Sequence, residues 1–398
     1  CIRDRSKAMI RSAKLLSHIA RSKEFGIHSA SAEFEFAEVM ERVQQVIRDI
    51  EPHDSIERYS GLGVDVVQGE ARITSPWTVE VNGKTIRTPN IVVATGGGPF
   101  VPPIEGIDDV DYYTSDTLWE MREKPEKMVV LGGGPIGCEL TQAFARLGVV
   151  VTQIEMLPKL LLREDEEVSA LVQQKFLAEG VEVLTGYAAK RFFRRDGRSY
   201  VVAESESGSV ELDFDALIVA VGRTPRSSGF GLEEVGVRLR KNRSIEVNEY
   251  LQTNIPTIYA CGDVTGPYQF THVAAHQAWY TSVNSLFGIL RRSKVDYSVI
   301  PWATFTEPEI ARVGLNETDA REQGVDYEVT RYGIDDLDRA IADSEAHGFV
   351  KVLTVPGKDR ILGVTIVGEH AADLIAEYVL AMRHGLGLNK VLGTIHIY

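Results

Sequence analysis

Met128-Val129-Val130-Leu131-Gly132-Gly133-Gly134-Pro135-Ile136-Gly137-Cys138-Glu139 is the stretch on which the fold turns. Four residues of buried-strand character run straight into three spaced glycines. A helical pattern follows, with Leu140, Ala143, Phe144 and Leu147 on one face, and Gly148 stops it. A second β-branched strand, Val149 to Ile154, ends on Glu155. In a strand–turn–helix–strand unit of this kind, Gly132 permits the tight turn, Gly134 lets a pyrophosphate approach the backbone, and Gly137 lets helix and strand pack closely. The helix N-terminus at Pro135 and Ile136 offers unpaired N–H groups and a positive dipole end to phosphates. Glu155, roughly twenty residues after the turn, is placed to accept hydrogen bonds from a ribose diol. An ordinary glycine-rich turn would leave that acid unexplained, so the unit is read as a dinucleotide site.

The chain has 398 residues, enough for two or three domains with substantial cores. Hydrophobic residues make up 44% and charged residues 25%, as in an ordinary globular protein. The net charge of −14 argues against a nucleic acid or an anionic membrane as partner. No apolar run approaches the roughly 20 residues needed to cross a bilayer, and the charged first residues do not read as a signal peptide. Cys1, Cys138 and Cys261 lie far apart with no metal-type or disulfide spacing. That usage predicts no metal site and a reducing, cytoplasmic setting.

Outward from the central unit, helices are predicted over Ser6 to Glu24 and Phe36 to Ile50 from their apolar spacing. Short strands are predicted at Val64 to Val67, Arg72 to Ile73, Thr78 to Val81 and Thr85 to Arg87, the last two joined by an Asn82-Gly83 hairpin turn. A buried strand from Asn90 reaches Ala94-Thr95-Gly96, and another, Ala216 to Val221, reaches Gly222-Arg223-Thr224-Pro225. Beyond Ile300 the pattern becomes an antiparallel sheet with helices, including an apolar helix from Ala371 to His384. Its strands are predicted at Ala311 to Gly314, Tyr327 to Tyr332, Phe349 to Thr354 and Ile361 to Val367.

Ala94-Thr95-Gly96, the Gly132–Gly137 turn, Val221-Gly222-Arg223-Thr224-Pro225 and Tyr259-Ala260-Cys261-Gly262-Asp263 form an ordered set. With Pro301 to Ile310 opening a third region, the set resembles the pyridine nucleotide–disulfide oxidoreductases, flavoenzymes that include lipoamide dehydrogenase and mercuric reductase. The resemblance implies an α/β fold: a Rossmann-like FAD domain (6–125 and 248–298) interrupted by an NAD domain (126–247), then an α+β dimerisation domain (299–398). It implies FAD held by Gly69, Ala71, Thr95, Gly96, Asp263 and the segment Gln269, Phe270, Thr271 and His272. It implies a dinucleotide held by Gly132, Gly134, Pro135, Ile136, Gly137, Glu155 and Gly222. NADH is expected rather than NADPH, because no Arg or Lys follows Glu155 until Lys159 and Arg163. Lys7 matches the family's lysine near the flavin, and Glu139 the acid that pairs with it. His396 and Tyr398 fall at the approach to the family's C-terminal acid/base, where mercuric reductases carry a tyrosine.

There are departures. Gln277-Ala278 stands where many members have Glu-Gly, and Arg226 where Asn is usual. The family's first strand, its first glycine-rich turn and its redox cysteine pair are expected upstream of Ser6, and Cys1 to Arg5 reads as foreign to that segment. The chain is therefore expected to be an inactive fragment, truncated at both ends, of a homodimeric enzyme. That enzyme would pass hydride from NADH to flavin and on to a small-molecule or protein disulfide or a metal ion. Two alternatives stay open: a dithiol-free flavoenzyme of the same fold, such as a soluble transhydrogenase or NADH oxidase, and a non-catalytic dimeric NAD-binding protein.

Overall fold

A computed structural model describes residues 2–397. The chain forms two compact units: one from 1–49, 101–222 and 298–398, the other from 50–100 and 223–297.

The first unit is built around a five-stranded parallel sheet in the order Tyr112–Thr114, Ala216–Val219, Lys127–Leu131, Val150–Glu155, Glu182–Thr185. Its two inner strands are buried on both faces from Met128 to Leu131 and from Ala216 to Val219, which explains why they read as unbroken apolar runs rather than alternating ones. Met128 and Val130 point to one side, where helix Pro135–Arg146 presents Leu140, Ala143 and Phe144. Helices Ile2–Ala20 and Phe36–Ile50 add Met9, Ala13, Met40 and Val43 to that core. Val129 and Leu131 point to the other side, against Phe192, Val201 and Ala203 of an antiparallel meander, Ala188–Arg195, Arg198–Ser205 and Gly208–Phe214. Period-two alternation in the middle strand thus feeds two separate cores.

The C-terminal part of this unit is a five-stranded antiparallel sheet in the order Pro301–Thr304, Glu309–Gly314, Ile361–Gly368, Phe349–Thr354, Glu328–Gly333. Helix Ala371–Arg383 buries Ala371, Ile375 and Ala381 against it and leaves Leu374 and Leu380 exposed.

The second unit carries a meander, Ala71–Ser75, Thr78–Val81 and Lys84–Arg87. Its hairpin turns at Asn82 and Gly83, both at positive φ (52° and 72°), the conformation an Asn-Gly turn favours. Ile91–Val93 pairs in parallel with Ile258–Ala260, and Gly97–Pro99 pairs antiparallel with Arg223–Pro225. Helix Thr271–Phe287 follows.

Two expectations are corrected. Val64 to Val67 is not a strand: Val64, Val66 and Val67 are exposed, and β-branched residues without a partner strand to bond or a core to cover do not hold a ladder. The first helix begins at Ile2 and ends at Ala20, and Ser22–Phe25 forms a separate 3-10 turn closed by Gly26 at φ 75°. Tyr398 lies outside the described residues, so its expected role has no structural counterpart.

Candidate active site

In the first unit the glycine-rich turn has the constraints the sequence predicts. A Cβ on Gly137 would lie 2.0 Å from the Gly132 carbonyl oxygen, and one on Gly132 would lie 2.5 Å from the Ala220 carbonyl oxygen. Gly137 is a steric necessity where the helix crosses the turn, and Gly132 where the turn passes the end of strand Ala216–Val219. Gly134 differs: nothing lies within 4 Å of where its Cβ would stand, so the space in front of it is open. Gly134 is the N-cap of helix Pro135–Arg146, and no side chain caps that helix. Pro135 occupies the first turn with Ile136, where a missing N–H costs nothing. An uncapped, glycine-fronted helix start with open space before it fits a pyrophosphate.

Glu155 is buried at the end of its strand. Its carboxylate accepts from the Gly133 N–H through one oxygen and from the Leu157 N–H (2.7 Å) through the other. It therefore braces the glycine turn as well as standing at its mouth. A Cβ on Gly133 would meet Glu155 Cγ at 2.9 Å, so the middle glycine of the run is needed for this brace. Lys159 is drawn away, its ammonium donating to the Glu164 carbonyl oxygen (2.6 Å) and facing Glu166. Gly222 sits exposed at positive φ, 141°.

Glu139, one turn into the helix, meets Lys7 from the N-terminal helix: Lys7 Nζ donates to Glu139 Oε2 at 2.7 Å. Glu139 is nearly buried while Lys7 is about a third exposed, so a fixed carboxylate holds a partly solvated lysine. Next to it, Cys138 Sγ contacts the Gly133 carbonyl oxygen (3.4 Å) and Gln153 Nε2 (3.6 Å). Burial pushes the Cys138 thiol up to about 12, which makes it a packing residue and not a thiolate. Cys261, also free and buried, is pushed up by burial as well.

Farther along, His396 is exposed and pairs with Glu377 Oε1 at 2.7 Å. That hydrogen bond raises the imidazole pKa above its ordinary value.

The second unit gathers another group of the expected residues. Gly97 stands where an added Cβ would lie 3.1 Å from the Thr224 carbonyl oxygen, 3.5 Å from Asp263 Cβ and 3.7 Å from Gln269 Nε2. Just before it, Gly96 holds φ 68° and Thr95 Oγ1 donates to the Arg226 carbonyl oxygen (2.6 Å). Arg223 Nε lies 3.6 Å from Asp263 Oδ2. Phe270 stacks on His272 with centroids 5.3 Å apart, and Thr271 opens the helix between them. Gly69 and Ala71 are both exposed, Ala71 opening the separate Ala71–Arg87 meander and Gly69 two residues before it.

The sequence did not single out Gln277 as more than a departure. It is fully buried; its Oε1 accepts from the Gly262 N–H at 2.6 Å, and its Nε2 donates to the Tyr297 hydroxyl at 2.7 Å. An amide can both accept and donate here, which a carboxylate in its place could not do. Phe305 was also missed: its N–H donates to Glu139 Oε1 at 3.0 Å, a contact across 166 residues that no local pattern announces.

The pyridine nucleotide-disulphide oxidoreductase family matches residues 8–278, and its dimerisation domain matches 300–398. A mercuric reductase of Lysinibacillus sphaericus is 33% identical over 395 residues, 99% of this chain and 72% of that protein. A dihydrolipoyl dehydrogenase of Chlamydia pneumoniae is 33% identical over 402 residues, 99% of this chain and 84% of that protein. Among solved structures, the Cu(II) complex of the HOCl-induced flavoprotein disulfide reductase RclA from Escherichia coli superposes with a TM-score of 0.87 at 26% identity, over 99% of this chain and 86% of that one. Motifs, sheet order and relatives agree: the chain is a member of the pyridine nucleotide–disulphide oxidoreductase family, and hence a flavin-dependent oxidoreductase.

Proposed function

We propose that this protein uses FAD and NADH to reduce a disulfide or a metal ion. The observation that carries the reading is the Lys7–Glu139 ion pair, which places a cation and a fixed carboxylate one helical turn from an open glycine-rich turn. Bound flavin supplies the hydride-accepting ring and nicotinamide the hydride. The chain's own residues bind, orient and charge-balance. Gly134 and the uncapped helix start take the dinucleotide pyrophosphate, and Glu155 takes the adenosine ribose. Lys7 keeps a positive charge where negative charge develops on reduction, and Glu139 holds that ammonium in place.

The open backbone at Gly96, the cluster of Gly97, Asp263 and Gln269, and the stacked Phe270 and His272 support flavin binding by the second unit. Asp263 accepts from ribityl hydroxyls in this reading, with Arg223 beside it. We assign the flavin-binding part to 6–125 and 248–298, the NAD-binding part to 126–247 and the dimerisation part to 299–398, with a homodimer as the working form. His396, paired with Glu377, is the described candidate for the C-terminal acid/base, Tyr398 being the other.

Discrimination against NADPH follows from Glu155. A 2′-phosphate about 4 Å from this carboxylate meets repulsion of roughly 4 kcal/mol at an effective dielectric near 20. Solvent relieves much of that, leaving about ten- to hundredfold preference for NADH. The occupied state of Lys159 supports this reading, since its ammonium already serves Glu164 and Glu166.

The test is an absorption spectrum of the purified protein for bound flavin, followed by NADH and NADPH oxidation with a dithiol-forming disulfide and with Hg(II) as acceptors. NADH-dependent turnover of either acceptor is expected of the intact enzyme. Flavin binding without turnover of either, or higher efficiency with NADPH, overturns the corresponding part.

A further inference from the structure

We propose that Phe305 is the positioning residue of the Lys7–Glu139 pair, holding the carboxylate through its backbone and the ammonium through its ring. Three contacts carry this. The Phe305 N–H donates to Glu139 Oε1 at 3.0 Å. Lys7 Nζ donates to Glu139 Oε2 at 2.7 Å. Lys7 Nζ also stands 4.2 Å from the centroid of the Phe305 ring. Each carboxylate oxygen thus has its own donor, and the ammonium is gripped between the carboxylate and an aromatic face.

The physical need is plain. A lysine has a long, flexible stem, and this one is 31% exposed, so a single ion pair would leave it many competing rotamers. The negative face of an aromatic ring attracts an ammonium placed over it and removes water from that side. Ser6 Oγ, 3.3 Å from Nζ, adds a weaker contact from the same helix. Phe305 directly follows strand Pro301–Thr304, whose partners in Glu309–Gly314 fix where it emerges. The C-terminal sheet therefore sets the position of a charge that the N-terminal helix carries. An aliphatic side chain would fill the same volume without a π face.

The positioning involves the Lys7 and Glu139 side chains and the backbone and ring of Phe305. Its consequence for hydride transfer rests on the function proposed above. The test is competitive acylation of lysines with acetic anhydride in the flavin-loaded protein, followed by mass spectrometry between about pH 7 and pH 11, across an ordinary lysine's titration. Wild type is compared with F305L, F305M and F305Y. Release of Lys7 in F305L and F305M is expected to raise its labelling rate about five- to tenfold, the scale of a partly exposed cation–π contact. F305Y, which keeps the ring, stays within about twofold of wild type. Lys351, buried among carboxylates, reports folding: its labelling stays low in any intact variant.

Unchanged Lys7 labelling in folded F305L and F305M overturns the positioning role, and so does a rise in F305Y equal to theirs. Stopped-flow reduction by NADH separates the two claims. If Lys7 labelling responds to F305L while K7M reduces flavin at the wild-type rate, Phe305 positions Lys7 and the proposed role of the pair in hydride transfer falls. If both respond, F305L is expected to lower the rate of reduction about fivefold, with KM for NADH within about twofold.

Discussion

The ammonium of Lys351, on strand Phe349–Thr354, lies 2.7 Å from the carboxylate of Asp165, the N-cap residue of helix Glu166–Ala178. Glu167 and Glu317 also accept from it, and its side chain is 1% exposed. Burial disfavours the charge, but the hydrogen bonds that Lys351 donates to Asp165, Glu167 and Glu317 raise the lysine pKa overall, while the Asp165 carboxyl is lowered. Glu164 beside it accepts from Trp302 Nε1 (2.9 Å) and faces Arg312, and Asn316 Nδ2 donates to the Arg163 carbonyl oxygen (2.9 Å). The loop that leaves Glu155 is thereby fastened to the C-terminal sheet.

Replacing the cation should therefore cost far more than an ordinary surface change. K351M strands three carboxylates, one of them buried, and is expected to lower stability by about 3 kcal/mol or more. Chemical denaturation of wild type and K351M at neutral pH measures it; a difference below about 0.5 kcal/mol would show that solvent compensates the carboxylates.

Glu307 predicts an acid-side effect. Burial raises its pKa, yet Arg146, Lys175 and Arg21 outweigh burial and hold it down at about 2, from an ordinary 4.5. A depressed folded-state pKa gives stability that is present above the unfolded value and lost as pH falls through the folded one. The contribution is about 3 kcal/mol at neutral pH, disappearing between pH 4.5 and 2. E307Q should be less stable than wild type at pH 7, and the two unfolding curves should converge toward pH 2. Parallel curves across that range would refute the linkage.

Gly134 and Gly137 should separate binding from folding. G137A drives a methyl to within 2.0 Å of the Gly132 carbonyl oxygen and should unfold or strongly destabilise the parallel-sheet unit. G134A has open space and an ordinary φ of −76°, so its melting temperature should match wild type. Its methyl would stand in the way of a pyrophosphate, and NADH affinity is expected to fall at least about tenfold. Titration of both variants with NADH checks this, and tight binding by G134A would move the cofactor elsewhere.

Leu374 and Leu380 are 53% and 59% exposed on a helix whose other side is buried in the C-terminal core. In a homodimer such a face is covered by the partner's copy. L374D/L380D should shift the protein to a monomer in sedimentation equilibrium at micromolar concentration while wild type sediments as a dimer. A wild-type monomer at that concentration rejects the dimer.

The dinucleotide unit was legible because three signals coincide there: an apolar strand, glycines at fixed spacing, and an acid where the second strand ends. Antiparallel strands such as Phe349–Thr354 were legible from short runs rich in apolar and β-branched residues. Gly97–Pro99 was not, since Gly-Gly-Pro has no strand propensity and pairs with Arg223–Pro225 only through the backbone. The Ala188–Phe214 meander was hidden by its charge: arginines and glutamates outnumber the few inward residues, Phe192, Val201 and Ala203, that anchor it. Within the site, Lys7 and Glu139 were reached by resemblance alone, and the structure joins them. Phe305 and Gln277 act through contacts distant in sequence, where neither periodicity nor spacing carries information.

The pairing of Ile91–Val93 with Ile258–Ala260, and of Gly97–Pro99 with Arg223–Pro225, has a consequence for heredity. A gene crossover anywhere between Pro99 and Arg223 draws one strand of each pair from each parent. Val93 of one lineage must then seat against Ala260 of another, and Gly98 against Thr224. Offspring of such an exchange inherit a ladder whose two sides never evolved together. Shuffling among relatives should therefore succeed more often when both breakpoints fall between Pro99 and Arg223 and return the paired strands from a single parent.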